Sequence, residues 1–145
     1  MAGYFRRAEE WNYDGANKAY ETLTNGLFVF IDGANGVKKL TAAGSAEFRV
    51  KEKTTLWGMP ALVLVCTDVG SAEHYVVENE IENYGDKGDY NDAEYSIPAN
   101  HYVKMRRPNI NDELIITTDS TTYAALTVGD TVKPASGGGV AKKSS

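Results

Sequence analysis

One cysteine and two histidines are all that this 145-residue chain holds of the side chains that most often carry chemistry at neutral pH. A single thiol excludes an internal disulfide, and with it any zinc site built on several cysteines. His74 and His101 are too far apart for the His-Glu-x-x-His spacing of a metalloprotease, and neither has a second nitrogen or sulfur ligand nearby. Long apolar runs are also missing. The longest, Ala61-Leu62-Val63-Leu64-Val65-Cys66, is strand-length, against the ~18–20 residues of a membrane-crossing helix. The first ten residues lack the apolar stretch of a secretory signal. The expectation is a soluble, cytoplasm-compatible protein with no membrane partner, of a length that matches one domain with its own core.

Basic charge is short as well. Fifteen Lys and Arg stand against twenty Asp and Glu, for a formal charge of −5. That balance argues against nucleic acid as a partner, because neutralising phosphates needs a basic face. The deficit is local. From Asp68 to Glu94 there are nine acids and one base, Lys87, while the remainder of the chain is mildly basic. Such a run reads either as a solvated face or as a field that orients docking onto a basic surface.

What is plentiful is short β-type runs and turn residues. Leu27-Phe28-Val29-Phe30-Ile31, the connector Asp32-Gly33-Ala34-Asn35-Gly36 and Val37-Lys38-Lys39-Leu40 predict a hairpin. Residues 46–52 alternate strictly, with Ala46, Phe48 and Val50 expected inward and Glu47, Arg49 and Lys51 outward. Leu56-Trp57 is a further short run, punctuated by Gly58-Met59-Pro60. Residues 61–66 read as the central core strand, with Cys66 an inert apolar residue. His74-Tyr75-Val76-Val77-Glu78 leads into an acidic loop over residues 80–96, too long for an idle connection. Strands follow at 102–105, 113–118 and 123–126, the last two separated by a turn at Asp119-Ser120-Thr121-Thr122. Residues 126–143 close as a tight hairpin. Turns every ~8–12 residues predict an all-β fold: a small single-domain β-barrel or sandwich over residues 26–145.

Residues 1–25 differ from the rest. They hold Tyr4, Phe5, Trp11, Tyr13 and Tyr20 among charged and polar side chains. Phe5, Ala8 and Trp11 share one helical face, which allows a short helix over 5–11 before Asn12-Tyr13-Asp14-Gly15-Ala16-Asn17 breaks it. The segment reads equally as aromatics packed on the domain's own core and as an N-terminal arm. As an arm, removable without unfolding the domain, it would anchor on a neighbouring molecule through Tyr4, Phe5, Arg6, Arg7, Trp11 and Tyr13.

Tests for chemistry return nothing specific. Ser71 with His74, or Cys66 with His101, lies in no nucleophile-elbow motif. Gly33-x-x-Gly36-Val37-Lys38 lacks the gap and the Ser or Thr of a phosphate loop. Asp86, Asp89, Asp92 and Glu94 are hard oxygen ligands out of EF-hand register, so a solvated loop is the default over calcium. No catalytic residue, metal ligand, pocket residue or cofactor motif is expected.

The order of motifs in the second half carries more. Tyr102-Val103-Lys104-Met105-Arg106-Arg107-Pro108 and Asp112-Glu113-Leu114-Ile115-Ile116 precede Gly129-Asp130-Thr131-Val132-Lys133-Pro134 and Gly137-Gly138-Gly139-Val140-Ala141-Lys142-Lys143. Over residues 26–143 this resembles the small capsid decoration, or cement, proteins of tailed bacteriophages, which similarly end in a G-D-x-V-x-P…G-G-x-V-x-K hairpin. The resemblance implies a β-barrel bound to the outside of an HK97-type icosahedral shell in the virion, stabilising it without enzymatic activity. Its implied partners are the major capsid protein and neighbouring copies. Two other expectations stand beside it: a tail or other virion β-module, and a carbohydrate or host-surface binding module stacking on Trp57, Tyr84 and Tyr90.

Overall fold

Antiparallel pairing links every strand of both sheets in the computed structural model, which describes residues 3–7, 13–70, 74–78 and 96–143. In chain order the strands are β1 (Gly3–Arg7), β2 (Tyr13–Lys18), β3 (Phe28–Asp32), β4 (Gly36–Lys39), β5 (Glu47–Leu56), β6 (Met59–Asp68), β7 (His74–Val77), β8 (Tyr102–Arg106), β9 (Glu113–Thr117), β10 (Thr131–Pro134) and β11 (Val140–Lys142). A six-residue helix, α1 (Ser120–Ala125), is inserted before β10. The first sheet runs β1-β9-β6-β5-β10-β11 and the second β2-β8-β7-β3-β4. Neither sheet closes on itself, so of the two expected architectures the open two-sheet form is the one found.

Alternation builds the core. Phe48 and Val50 of β5, Leu62, Leu64 and Cys66 of β6, and Leu114 and Ile116 of β9 share one buried cluster with Phe28 and Val76 of the second sheet. The rings of Phe28 and Phe48, one from each sheet, meet edge-on at 5.4 Å and 62°, the offset that aromatic quadrupoles favour. The second sheet is apolar on its other face too. Val29, Val37, Val77, Val103 and Met105 lie there with Leu23 and Ile97, which pair through two backbone hydrogen bonds of 3.0 and 2.7 Å.

The hairpin expected over 27–40 forms as β3 and β4. Asp32 accepts hydrogen bonds from Asn35 across the turn and pairs with Lys38 at 2.7 Å. Those contacts, the lysine's first, hold its carboxyl below the ordinary carboxylate range. Gly36 is required twice over. Its φ is 108°, and a Cβ there would come within 2.4 Å of the Lys18 carbonyl oxygen. The closing hairpin, β10 with β11, also forms where the sequence places it.

Three expectations are corrected. The helical spacing at 5–11 does not yield a helix over Phe5–Arg7, which lie in β1; pairing with β9 outcompetes three apolar residues at helical spacing. Residues 1–25 are not a detachable arm, for β1 joins the first sheet and β2 the second, and Ala19, Leu23 and Asn25 are buried. Deleting them would strip an edge strand from each sheet. Finally, residues 123–126 are not a strand. Asp119 caps α1 by accepting from the Thr122 N–H at 2.6 Å and the Thr122 hydroxyl at 3.0 Å, and the helix continues through Ala125. The Leu56-Trp57 run and residues 61–66 also turn out to be one ten-residue pair, β5 with β6, joined by a two-residue turn.

A clasp between the sheets holds the N-terminal strand. Glu78, just after β7, accepts the Phe5 N–H at 2.7 Å and pairs with Arg106 of β8 at 2.9 Å. The Arg106 guanidinium, only 2% exposed, also lies over the Phe5 ring at 4.9 Å. Removing one member of a buried ion pair is costly because the other keeps its charge out of water. Glu78→Ala is therefore expected to lower stability by about 3 kcal/mol, read as the shift of a urea unfolding curve. An unchanged midpoint would remove the clasp from the account.

Cys66 is fully buried, and burial pushes its thiol up to about 11. With so little thiolate at pH 8, the native protein should react with a maleimide on the order of a hundredfold more slowly than the urea-unfolded chain. Equal rates would mean that the strand carrying it opens readily.

Candidate binding surface at the β5–β6 hairpin

The turn between β5 and β6 has two residues, Trp57 and Gly58, flanked by the paired Leu56 and Met59. Their φ values are 50° and 78°, the two positive angles of a type I′ turn, which suits the right-handed twist of a hairpin. Glycine meets this demand freely. Tryptophan does not, since its Cβ crowds the carbonyl oxygen in the left-handed region at roughly 1–2 kcal/mol. Among the described residues three non-glycine positions have positive φ. Two are asparagines, Asn100 and Asn111, which tolerate the conformation; the third is Trp57.

The indole recovers little of that cost by burial, being 44% exposed. Among the described residues it meets one ring, Tyr4 of β1, edge-on at 6.2 Å and 63°. Tyr4 is itself 39% exposed. Both stand on the outer face of the first sheet. Tyr4 is the cross-strand partner of Ile115, which in turn partners Val63, and cross-strand partners share a face. Ala61, Val63 and Ile115 form a small buried cluster there with Leu56 packed against it.

Charge surrounds this apolar centre. Arg6 stands 3.9 Å from Glu52, Lys51 pairs with the buried Glu113 at 2.9 Å, and Lys133 and Lys143 both approach Glu47. Exposed Arg49, whose strand neighbours are Val65 and Thr131, has no ion pair among the described residues. The outer face thus carries aromatic area and spare positive charge in a chain that is acidic as a whole.

The residues expected to anchor on a neighbour are placed as follows. Tyr4 and Arg6 face outward on β1 beside Trp57. Phe5 faces the other way and, partly buried, packs against the main core. Arg7 and Tyr13 belong to β1 and β2 by their backbone; their side chains, and all of Trp11, lie outside the described residues. Tyr84, Tyr90 and the acidic residues of the 80–96 loop lie outside them as well. Trp57 was expected only as a sugar platform, and its pairing with Tyr4 was not foreseen. The available signal was Trp-Gly between two β runs, obscured because Pro60 suggested a break. Pro60 instead pairs with Thr55 near the start of β6 and offers its carbonyl to Thr118 N–H at 3.0 Å.

Among the described residues no three His, Cys, Asp or Glu side chains converge as metal ligands, and no helix is long and apolar enough to cross a membrane. Compared with protein-family models, curated proteins and solved structures, the chain matches none.

The turn geometry separates a structural tryptophan from one kept for contact. A core tryptophan replaced by a small side chain costs about 3–5 kcal/mol. Trp57→Asn relieves the backbone and loses one exposed ring contact, so its stability is expected within about 1 kcal/mol of the parent. Urea or thermal unfolding decides, and a loss of several kcal/mol would make Trp57 a structural residue.

Proposed function

We propose that this protein is a structural virion component, a decoration protein that docks on the outer surface of an HK97-type phage capsid and stabilises the shell. The observation that carries the reading is the exposed Tyr4–Trp57 pair, held on a sheet face at the expense of a strained tryptophan backbone. Tryptophan, tyrosine and arginine are the residues that dominate protein interfaces. Here all three meet, with Arg6 next to Tyr4, and Arg49 on the same face without an ion pair among the described residues. The Gly129–Lys143 hairpin pattern and the mainly-β fold accord with the resemblance drawn from sequence, although the two sheets stay open rather than closing as a barrel. Identical copies on a repeating lattice need only modest contacts each, since neighbouring copies on one shell add to one another. The major capsid protein is the partner this reading names, with further copies of this chain beside it. No catalytic step enters it.

Co-sedimentation with undecorated capsid shells tests the proposal. The parent protein is expected to saturate at a fixed ratio per capsomer and to bind less tightly at high salt, as exposed arginines imply. Trp57→Asn, folded as above, should bind about thirtyfold more weakly, the loss of one interface hot spot. Absence of saturable binding by the parent would overturn the decoration reading, and undiminished binding by Trp57→Asn would overturn the assigned surface.

A further inference from the structure

We propose that a ledge on the second sheet, built by Lys18, Tyr20, Asp32, Lys38 and Tyr102, binds an acidic pyranose, a sugar ring that carries a carboxylate. Its position follows from the strand period. Ala19, Val37 and Val103 belong to the second buried cluster, so their chain neighbours Lys18, Tyr20, Lys38 and Tyr102 point the other way. Three strands bring these four side by side. Lys18 of β2 is the cross-strand partner of Tyr102 in β8. Just past β2, Ala19 forms a parallel bridge with Val37 of β4, and the Tyr20 N–H donates to the Val37 carbonyl at 2.9 Å. The glycine at position 36 lets β4 lie this close, since a Cβ would strike the Lys18 carbonyl oxygen.

Tyr20 and Tyr102 are the most exposed aromatic residues among those described, at 54% and 62%. Each ring has an ammonium group over it, Lys38 at 4.3 Å from Tyr20 and Lys18 at 5.1 Å from Tyr102. The two amines differ in charge balance. Lys38 is answered by Asp32 at 2.7 Å, whereas exposed Lys18 makes no ion pair among the described residues. Lys38 and the Asn35 amide both end on Oδ2 of Asp32. Among the described residues Oδ1 accepts no hydrogen bond, and it stands ready for a hydroxyl donor.

This chemistry names the ligand. One uncompensated positive charge, one carboxylate oxygen without a donor and two aromatic faces lie together, with Lys18 and Tyr20 about 7 Å apart along the chain. A nucleic acid would bring further phosphates against Asp32. A bare carboxylate or phosphate leaves the rings uncovered, and a neutral sugar leaves Lys18 unpaired. An acidic pyranose uses every group: its carboxylate pairs with Lys18, a ring hydroxyl donates to Asp32 Oδ1, and its weakly positive C–H face meets the negative face of a tyrosine. The ledge stands apart from the Tyr4–Trp57 face on the first sheet, so this site does not rest on the docking reading.

The test is an amide-resolved NMR titration of the full chain with methyl β-D-glucuronide, methyl β-D-glucoside and sodium acetate in turn. The glucuronide is expected to give saturable shifts confined to residues 17–20, 31–38 and 101–103. Its affinity should exceed that of the glucoside about tenfold, the effect of one charge-assisted contact, and acetate should give no saturable shift. Lys18→Gln, at an exposed position, should bring the glucuronide down to the glucoside's level. Tyr102→Ser should weaken both sugars alike, about fivefold. Equal affinity for the two sugars, saturation by acetate at the same residues, or an unchanged glucuronide response in Lys18→Gln would overturn the site, as would the absence of saturable shifts with either sugar. Lys18→Gln should still co-sediment with shells as the parent does, and Trp57→Asn should still respond to the glucuronide, so the two surfaces fail separately.

Discussion

A buried arginine sets the geometry of everything at the N-terminal edge. Arg106 is nearly inaccessible and cannot give up its charge, so the fold must bring a carboxylate to it. Glu78 does so, and its second oxygen takes the Phe5 N–H. The N–H of an edge strand on the first sheet is thereby fixed to a residue of the second. Once Phe5 turns inward over the guanidinium, the two-residue period of a strand sends Tyr4 and Arg6 outward. The outward aromatic then meets Trp57. The proposed docking surface follows from an interaction on the opposite side of the sheet.

The same arginine explains why the N-terminal segment belongs to the body of the domain. An arm that orders only on docking would leave its polar backbone to water when free. β1 instead pairs along Ile116, Ile115 and Leu114. A Cβ on Gly3 would come within 2.6 Å of the Ile115 carbonyl oxygen, so the strand is fitted closely to β9. The Phe5 N–H, on the side away from β9, is covered by Glu78, which blunts the edge against pairing with a foreign strand.

What the sequence made legible divides by the range of the interaction. The 27–40 and 126–143 hairpins depend on glycine and aspartate at neighbouring positions, and both were readable. The alternation at Phe48 and Val50 and the apolar run of β6 gave the central strands and the buried thiol. Long-range pairing left no local trace. Phe5, Ala8 and Trp11 share a helical spacing, yet Phe5 pairs with β9, while Ala8 and Trp11 lie outside the described residues. Residues 123–126 look like a strand, and only the Asp119 cap turns them into a helix. At the binding surface, Tyr4 and Arg6 were legible as exposed interface types, but nothing local distinguished them from Phe5. Residues 113–118 read as a strand and 119–122 as a turn, and the strand forms as β9.

Trp57 breaks the local rule that the rest of the hairpin obeys. An asparagine at that position would satisfy the turn at less conformational cost, as Asn100 and Asn111 do elsewhere in the chain. Its one ring contact, at 6.2 Å with a half-exposed tyrosine, is too small a return in the free protein, since such contacts contribute about 0.5–1.5 kcal/mol. The balance changes only if the indole is covered by something else, because burying an aromatic face contributes about 25 cal/mol per Å².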